Sequence, residues 1–140
     1  MSEYETDILV WSEHQAALLR RLAAGERVDD QIDWENVIEE VESVGAEQLH
    51  AVVSLLRQAL IHRLKAEAWP LSRDAPNWRA DAIRFRADAV DRYAPSMRQR
   101  IVIDRIYRQA LHALPDTMDG VPPLPIQTSI PMLDELLAEV

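Results

Sequence analysis

Residues 33–70 read DWENVIEEVESVGAEQLHAVVSLLRQALIHRLKAEAWP, and this stretch decides the fold class. Apolar side chains recur in it every three or four residues, the period of an α-helix. No proline precedes Pro70 anywhere in the chain. Asp33 stands where its carboxylate can accept free backbone N–H groups of a first helical turn. Glu35 suits the positive end of the helix dipole. Pro70 ends the run, because the residue before a proline avoids helical backbone. The spacing predicts one long helix from Asp33 to about Trp69.

At the 3.5-residue period of packed helices, one seam position falls on Trp34, Val41, Gln48, Leu55 and His62. Its companion falls on Ile38, Gly45, Val52, Ala59 and Ala66, a set of smaller residues that would let a neighbouring helix approach. Gly45 in a helix interior costs about 1 kcal/mol, so close backbone contact or a kink is expected there.

Working outward, a first helix is expected from Thr6 or Asp7 to Ala24, closed by Gly25. A third runs from near Asn77 to near Tyr93, followed by a break at Pro95 and Ser96. A fourth carries Met97, Ile101, Ile103, Ile106, Tyr107, Leu111 and Leu114. The stretch holding Pro115, Pro122, Pro123 and Pro125 is too rich in proline for regular structure. A short last helix begins at Pro131 and carries Leu133, Leu136 and Leu137. Alternating strand patterns are missing. The expected fold is all-α: a single domain over residues 1–140, an antiparallel up-and-down four-helix bundle with a proline-rich C-terminal segment and a short terminal helix.

The 140 residues include three glycines and no cysteine, which excludes disulfides, thiolate metal sites and a cysteine nucleophile. No apolar run approaches the ~20 residues of a membrane span, and the acidic start is not a secretory signal. A cytoplasmic protein without membrane attachment is expected. The net charge of −9 conceals a division. Residues 1–56 carry thirteen acidic and three basic side chains, residues 57–108 six acidic and twelve basic, and residues 109–140 five acidic and none basic. Lys65 is the only lysine; the other cations are arginines, which grip carboxylates and phosphates with two prongs. Acidic helices packing beside basic ones, in one copy or across a dimer, account for the division. Nucleic acid is not expected as a partner.

Gln48 and His62 are polar residues in an apolar seam and need partners if buried. His62 is read either as a histidine that fixes register or as part of a site. Antiparallel helices joined at residues 70–75 place Gln58, His62 and Lys65 level with Arg86, Ala82 and Arg79. Tyr107 approaches the same end. His62, Lys65, Arg73, Trp78 and Arg86 therefore form a candidate anion site for a phosphate, carboxylate or phosphodiester. Glu39 and Glu42, with His14, are weak candidates for a metal site of the carboxylate type; no Glu-x-x-His pair is present, and Glu40 lies about 33 Å along the helix from His62. No metal and no cofactor are expected. Phosphate-cradling glycine loops, Ser-His-Asp signatures and HExxH are absent from the sequence.

The spaced residues Tyr4, Asp7, Trp11, Gln15, Ala16, Leu18, Leu19 and Arg20 resemble the opening of the bacterial family called domain of unknown function twenty-nine. The likeness continues through Asp33-Trp34-Glu35-Asn36 and Glu39-Glu40-Val41-Glu42-Ser43-Val44-Gly45. It then takes in His62, Lys65, Pro70, Arg73, Trp78, Arg86, Pro95 and Ser96, so that it spans roughly residues 4–98. The resemblance implies a helical bundle of bacterial origin with no established activity. Sequence alone does not decide between enzyme and binding protein. The expectation is a non-enzymatic bundle that self-associates or binds a protein partner. The alternative is an anion-, nucleotide- or RNA-binding site, with or without catalysis, at the His62/Lys65/Arg73/Arg86 end.

Overall fold

Asp33 begins the longest element. Its carbonyl accepts the Val37 N–H, and its carboxylate accepts both the backbone and side-chain N–H groups of Asn36. From this cap helix α3 runs Trp34–Ala68. Trp69 still donates its N–H to the Lys65 carbonyl before Pro70 stops the helix. The computed structural model describes residues 1–138. The other helices are α1 (Glu3–Thr6), α2 (Ile8–Ala23), α4 (Ala75–Arg92), α5 (Ile103–His112) and α6 (Leu133–Ala138). Turns of 3-10 helix lie at Asp29–Gln31 and Pro95–Arg100, and no strand occurs among the described residues.

The chain falls into two units, Met1–Ala46 and Glu47–Val140, and α3 contributes to both. The first holds α1, α2 and the part of α3 up to Ala46. Gly25 closes α2 with φ +95: its N–H bonds to the Leu22 carbonyl and that of Glu26 to the Arg21 carbonyl. This doubly bonded ending needs a left-handed residue, which glycine adopts without a Cβ clash. The unit buries few side chains, chiefly Trp11, Val28 and Ile32.

The second unit is built on the rest of α3. Val52, Leu56, Leu60, Ile61 and Leu64 join Ala89, Met97, Ile101, Ile106, Tyr107, Ala110 and Leu136 in one apolar cluster. Each fully buried leucine contributes about 1.5–3 kcal/mol. On α3 the small seam residues Ala59 and Ala66 are buried; α4 buries Ala75, Ala82 and Ala89, also seven apart. The His62 ring meets Phe85 and the Lys65 ammonium meets Trp78, so the two helices run antiparallel.

Two expectations change. Met97 and Ile101 precede the fourth helix instead of riding on it: residues 95–100 wind as a 3-10 turn, and α5 starts at Ile103. Ile101, Val102 and Ile103 are consecutive β-branched residues, which lose side-chain freedom in a helix, and Ile101 and Val102 hold extended backbone. The seam is covered only in its second half. Trp34, Ile38, Val41 and Gln48 are exposed, whereas Val52, Ala59 and Ala66 are buried.

The proline-rich stretch is irregular but fastened. Asp119 and Gly120, both at positive φ, turn the chain back so that Met118 and Val121 exchange backbone hydrogen bonds. The Trp69 indole donates to the Val121 carbonyl at 2.9 Å, Leu124 N–H to the free Ala68 carbonyl at the end of α3, and the Tyr107 hydroxyl to the Thr128 carbonyl. Helix α6 then lies against α4.

Candidate functional site

Tyr4, Trp11 and Gln15 join Asp33, Asn36 and Glu40 in one network in the first unit. The Trp11 indole donates to the Asp33 carboxylate at 3.0 Å, and Asp33 N–H donates to the Gln15 side chain at 2.8 Å. Tyr4 stacks edge-on against Trp11, ring centres 4.8 Å apart, and its hydroxyl donates to Glu40. The hydrogen bonds from Asn36 and Trp11 hold the Asp33 carboxyl below its ordinary pKa. The bond to Glu40, with partial burial and the nearby charges of Glu40, Glu39 and Asp33, pushes the Tyr4 phenol up to about 12. Every group here has a protein partner, so the network braces α1, α2 and the start of α3.

Its alkaline behaviour follows. The fold favours the neutral phenol, so the stabilisation is complete below the unfolded value of 10 and disappears as pH climbs from there to about 12. Urea unfolding of the native protein is expected to weaken across that interval. Tyr4→Phe should remove that component and one late-ionising group from the phenolate absorbance titration; an unchanged titration would contradict the assignment.

The metal candidates do not assemble. His14 sits 2.9 Å from Glu3, while Glu39 and Glu42 are exposed. Among the described residues no group of three or more metal-ligating side chains converges.

In the second unit the residues expected to form the anion site divide among four places. His62 Nδ1 lies 2.8 Å from the Gln58 carbonyl, one turn back on its own helix, and its ring is 5.2 Å from that of Phe85. Lys65 Nζ stands 5.9 Å from the centre of the Trp78 ring. Arg73 lines an apolar crevice of about 520 Å³ walled by Trp69, Leu71, Met118, Val121 and Leu124. Arg86 is buried, donates to the Leu136 carbonyl at 3.5 Å, and lines a different cavity of about 510 Å³. That cavity is walled by Arg63, Ala66, Glu67, Arg79, Ala82, Ile83 and Thr128 as well. His62, Lys65, Arg73 and Trp78 do not line it.

Sequence reasoning placed Arg79 level with Lys65 but left it out of the candidate site, and it overlooked Arg63 and Glu67. The signal was available: Arg79 and Arg86 are seven residues apart, with Ala82 and Ile83 between them on the same face. Glu67 is the fixed point of this wall. Its carboxylate accepts the N–H groups of Gln127 at 2.9 Å and Thr128 at 3.0 Å. Burial works to raise its pKa, but these bonds outweigh it and keep the group ionised below the usual carboxylate range.

Comparison with known families matches residues 3–139 to Domain of unknown function DUF29. The chain belongs to this family. The match extends the resemblance of residues 4–98 through nearly the whole chain, including the fastened proline-rich segment and α6. A solved structure is also similar: a crystal structure from Rhodospirillum rubrum, described as an alpha-helical protein of unknown function. It is 30% identical, with a TM-score of 0.69 over 99% of this chain and 91% of that one. No curated protein matches the sequence. Membership in DUF29 thus brings a helical architecture and no specific activity. No helix among the described residues is long and apolar enough to cross a membrane.

Proposed function

We propose that this DUF29 protein is a non-enzymatic binding module whose first unit docks a basic amphipathic helix of a protein partner. One observation carries this reading: Trp34, Ile38 and Val41 follow the seam spacing along α3 yet are 43%, 54% and 69% exposed. Val44 beside them is 62% exposed. Residues three and four apart on a helix present one stripe, and such a stripe suits an incoming helix. Gly45 extends it, and a Cβ built there would meet nothing within 4 Å, so a partner backbone has room to approach closely.

Charge selects the occupant. The first unit carries twelve acidic and three basic side chains, whereas residues 47–140 carry twelve of each. Exposed Glu35, Glu39 and Glu42 flank the stripe. A second copy presenting the same face would set these acids against each other, while a basic helix would be drawn in. The finer reading of the fold, an antiparallel up-and-down four-helix bundle, is favoured by the short connections and by the antiparallel course of α3 and α4 in the second unit. A bacterial, cytoplasmic setting accords with the Rhodospirillum relative and the absence of cysteine.

The test uses a labelled helical peptide with leucines at heptad spacing and lysines elsewhere, followed by fluorescence anisotropy. Saturable binding is expected, with a loss of about tenfold or more in Val41→Glu. The sign discriminates: if charge alone drove binding, the added acid would strengthen it. Absence of binding, or equal binding of a glutamate version of the peptide, would overturn the proposal. So would a concentration-dependent dimer abolished by Val41→Glu, since it would make a second copy the occupant.

A further inference from the structure

We infer that the apolar crevice at the turn between α3 and α4 receives a second copy of this chain, each copy inserting its Leu71 into the crevice of the other. The inference concerns the second unit and does not rest on the docking stripe of the first. Trp69, Pro70, Leu71 and Ser72 form a β-turn: the Ser72 N–H donates to the Trp69 carbonyl at 3.1 Å, and Pro70 takes the position that suits its fixed φ. Leu71 stands at the tip of this turn and is 98% exposed. Beside it opens the crevice of about 520 Å³, lined by buried Trp69 and by Val121 and Leu124, each 54% exposed. The walls are fixed before anything enters. The Trp69 indole is tied to the Val121 carbonyl and the Leu124 N–H to the Ala68 carbonyl, so these polar groups make no demand on an occupant. One exposed leucine asks for no explanation, but three exposed apolar side chains around an apolar hollow do.

Symmetry and charge select the occupant. Two identical surfaces meet about a two-fold axis only where the patch complements itself, a knob facing a hole and a cation facing an anion. This patch has all four parts: Leu71 as the knob, the crevice as the hole, Arg73 as the cation and Asp119 as the anion. Among the described residues Arg73 and Asp119 take part in no ion pair, although both line the same crevice. Across a two-fold axis Arg73 of each copy can meet Asp119 of the other. A small organic anion would gain Arg73 but face Asp119, and an organic cation the reverse; a second copy satisfies both. The net charge of −9 does not hold copies apart at this end, because residues 47–140 carry twelve acidic and twelve basic side chains.

Sedimentation velocity of the full-length protein from about 5 µM to about 1 mM tests this, a range that covers the weak affinities of small interfaces. A monomer–dimer equilibrium is expected. Leu71→Asp, at a position that buries nothing in the monomer, should weaken the dimer by about tenfold or more with the helical circular dichroism unchanged. Arg73→Glu should weaken it as well, by setting like charges together. Adding Asp119→Asn, which tolerates the positive φ there, should recover part of that loss. Val41→Glu should leave this dimer intact, and Leu71→Asp should leave helical-peptide binding intact, so this interface and the docking stripe fail separately. A wild type that stays monomeric throughout the range overturns the proposal, as does a dimer equally tight in Leu71→Asp. A monomer that binds octanoate saturably in calorimetry, and loses it in Arg73→Glu, also overturns it by making a small apolar anion the occupant.

Discussion

Trp11→Ala is expected to melt the order of residues 1–46 while the cluster around Leu56, Leu60 and Leu64 stays folded. Trp11 is one of three apolar side chains buried in the first unit, with Val28 and Ile32. Deleting a large aromatic core residue costs about 3–5 kcal/mol. A region of this size has little surplus, since short chains bury a small fraction of their surface. The ring also carries the edge contact with Tyr4 and the hydrogen bond to Asp33, so Asp33 loses one of the donors that hold it ionised. Amide hydrogen exchange followed by fragment mass measurement checks this. Fragments from residues 1–46 should exchange freely in the variant, and those spanning residues 52–64 should keep their protection. Equal loss of protection in both regions would mean the two units unfold as one. Trp11→Phe should retain most protection, because it keeps a ring in the cavity.

Leu136→Ala should cost the second unit about 2–5 kcal/mol, the usual range for emptying a buried leucine site. Leu136 is 1% exposed within the main apolar cluster and is the anchor of a six-residue helix. A helix this short has no stability in isolation. Among the described residues, Leu133 also packs against the cluster, the exposed ion pair of Arg98 with Asp134 adds at most about 1 kcal/mol, and Arg86 bonds to the Leu136 carbonyl. Urea unfolding measures the loss, and faster proteolysis beyond Thr128 locates it. A decrease under about 1 kcal/mol would show that the cluster closes over the gap.

The helices were legible because their punctuation is strong. Asp33, Gly25 and Pro70 stop or start elements for local reasons, and the structure places the boundaries within a residue or two of them. The start of α5 was not legible from periodicity: Met97 and Ile101 are four apart, a spacing that fits a helix and also fits a turn followed by extended backbone. The Asp119-Gly120 pair was a turn signal hidden among prolines. Burial was harder. Heptad spacing says that Trp34, Ile38 and Val41 share a face, but only a packed neighbour buries that face. The candidate site was partly legible for a similar reason. Starting from His62 followed the α3 face that meets Phe85 and Trp78. Arg63, one residue further round the helix, belongs to the face that meets Arg79 and Arg86. A rotation of about 100° per residue separates the two, and composition carries no trace of it.

The contact of Lys65 with Trp78 makes the protein its own reporter. Lys65 is the sole lysine, so an acylating reagent has one side-chain amine to modify, and that amine stands 5.9 Å from an indole. Neutralising it removes a cation from the ring face. A change in tryptophan emission on acylation that is lost in Trp78→Phe would therefore register the chemical state of a single known atom at the junction of α3 and α4.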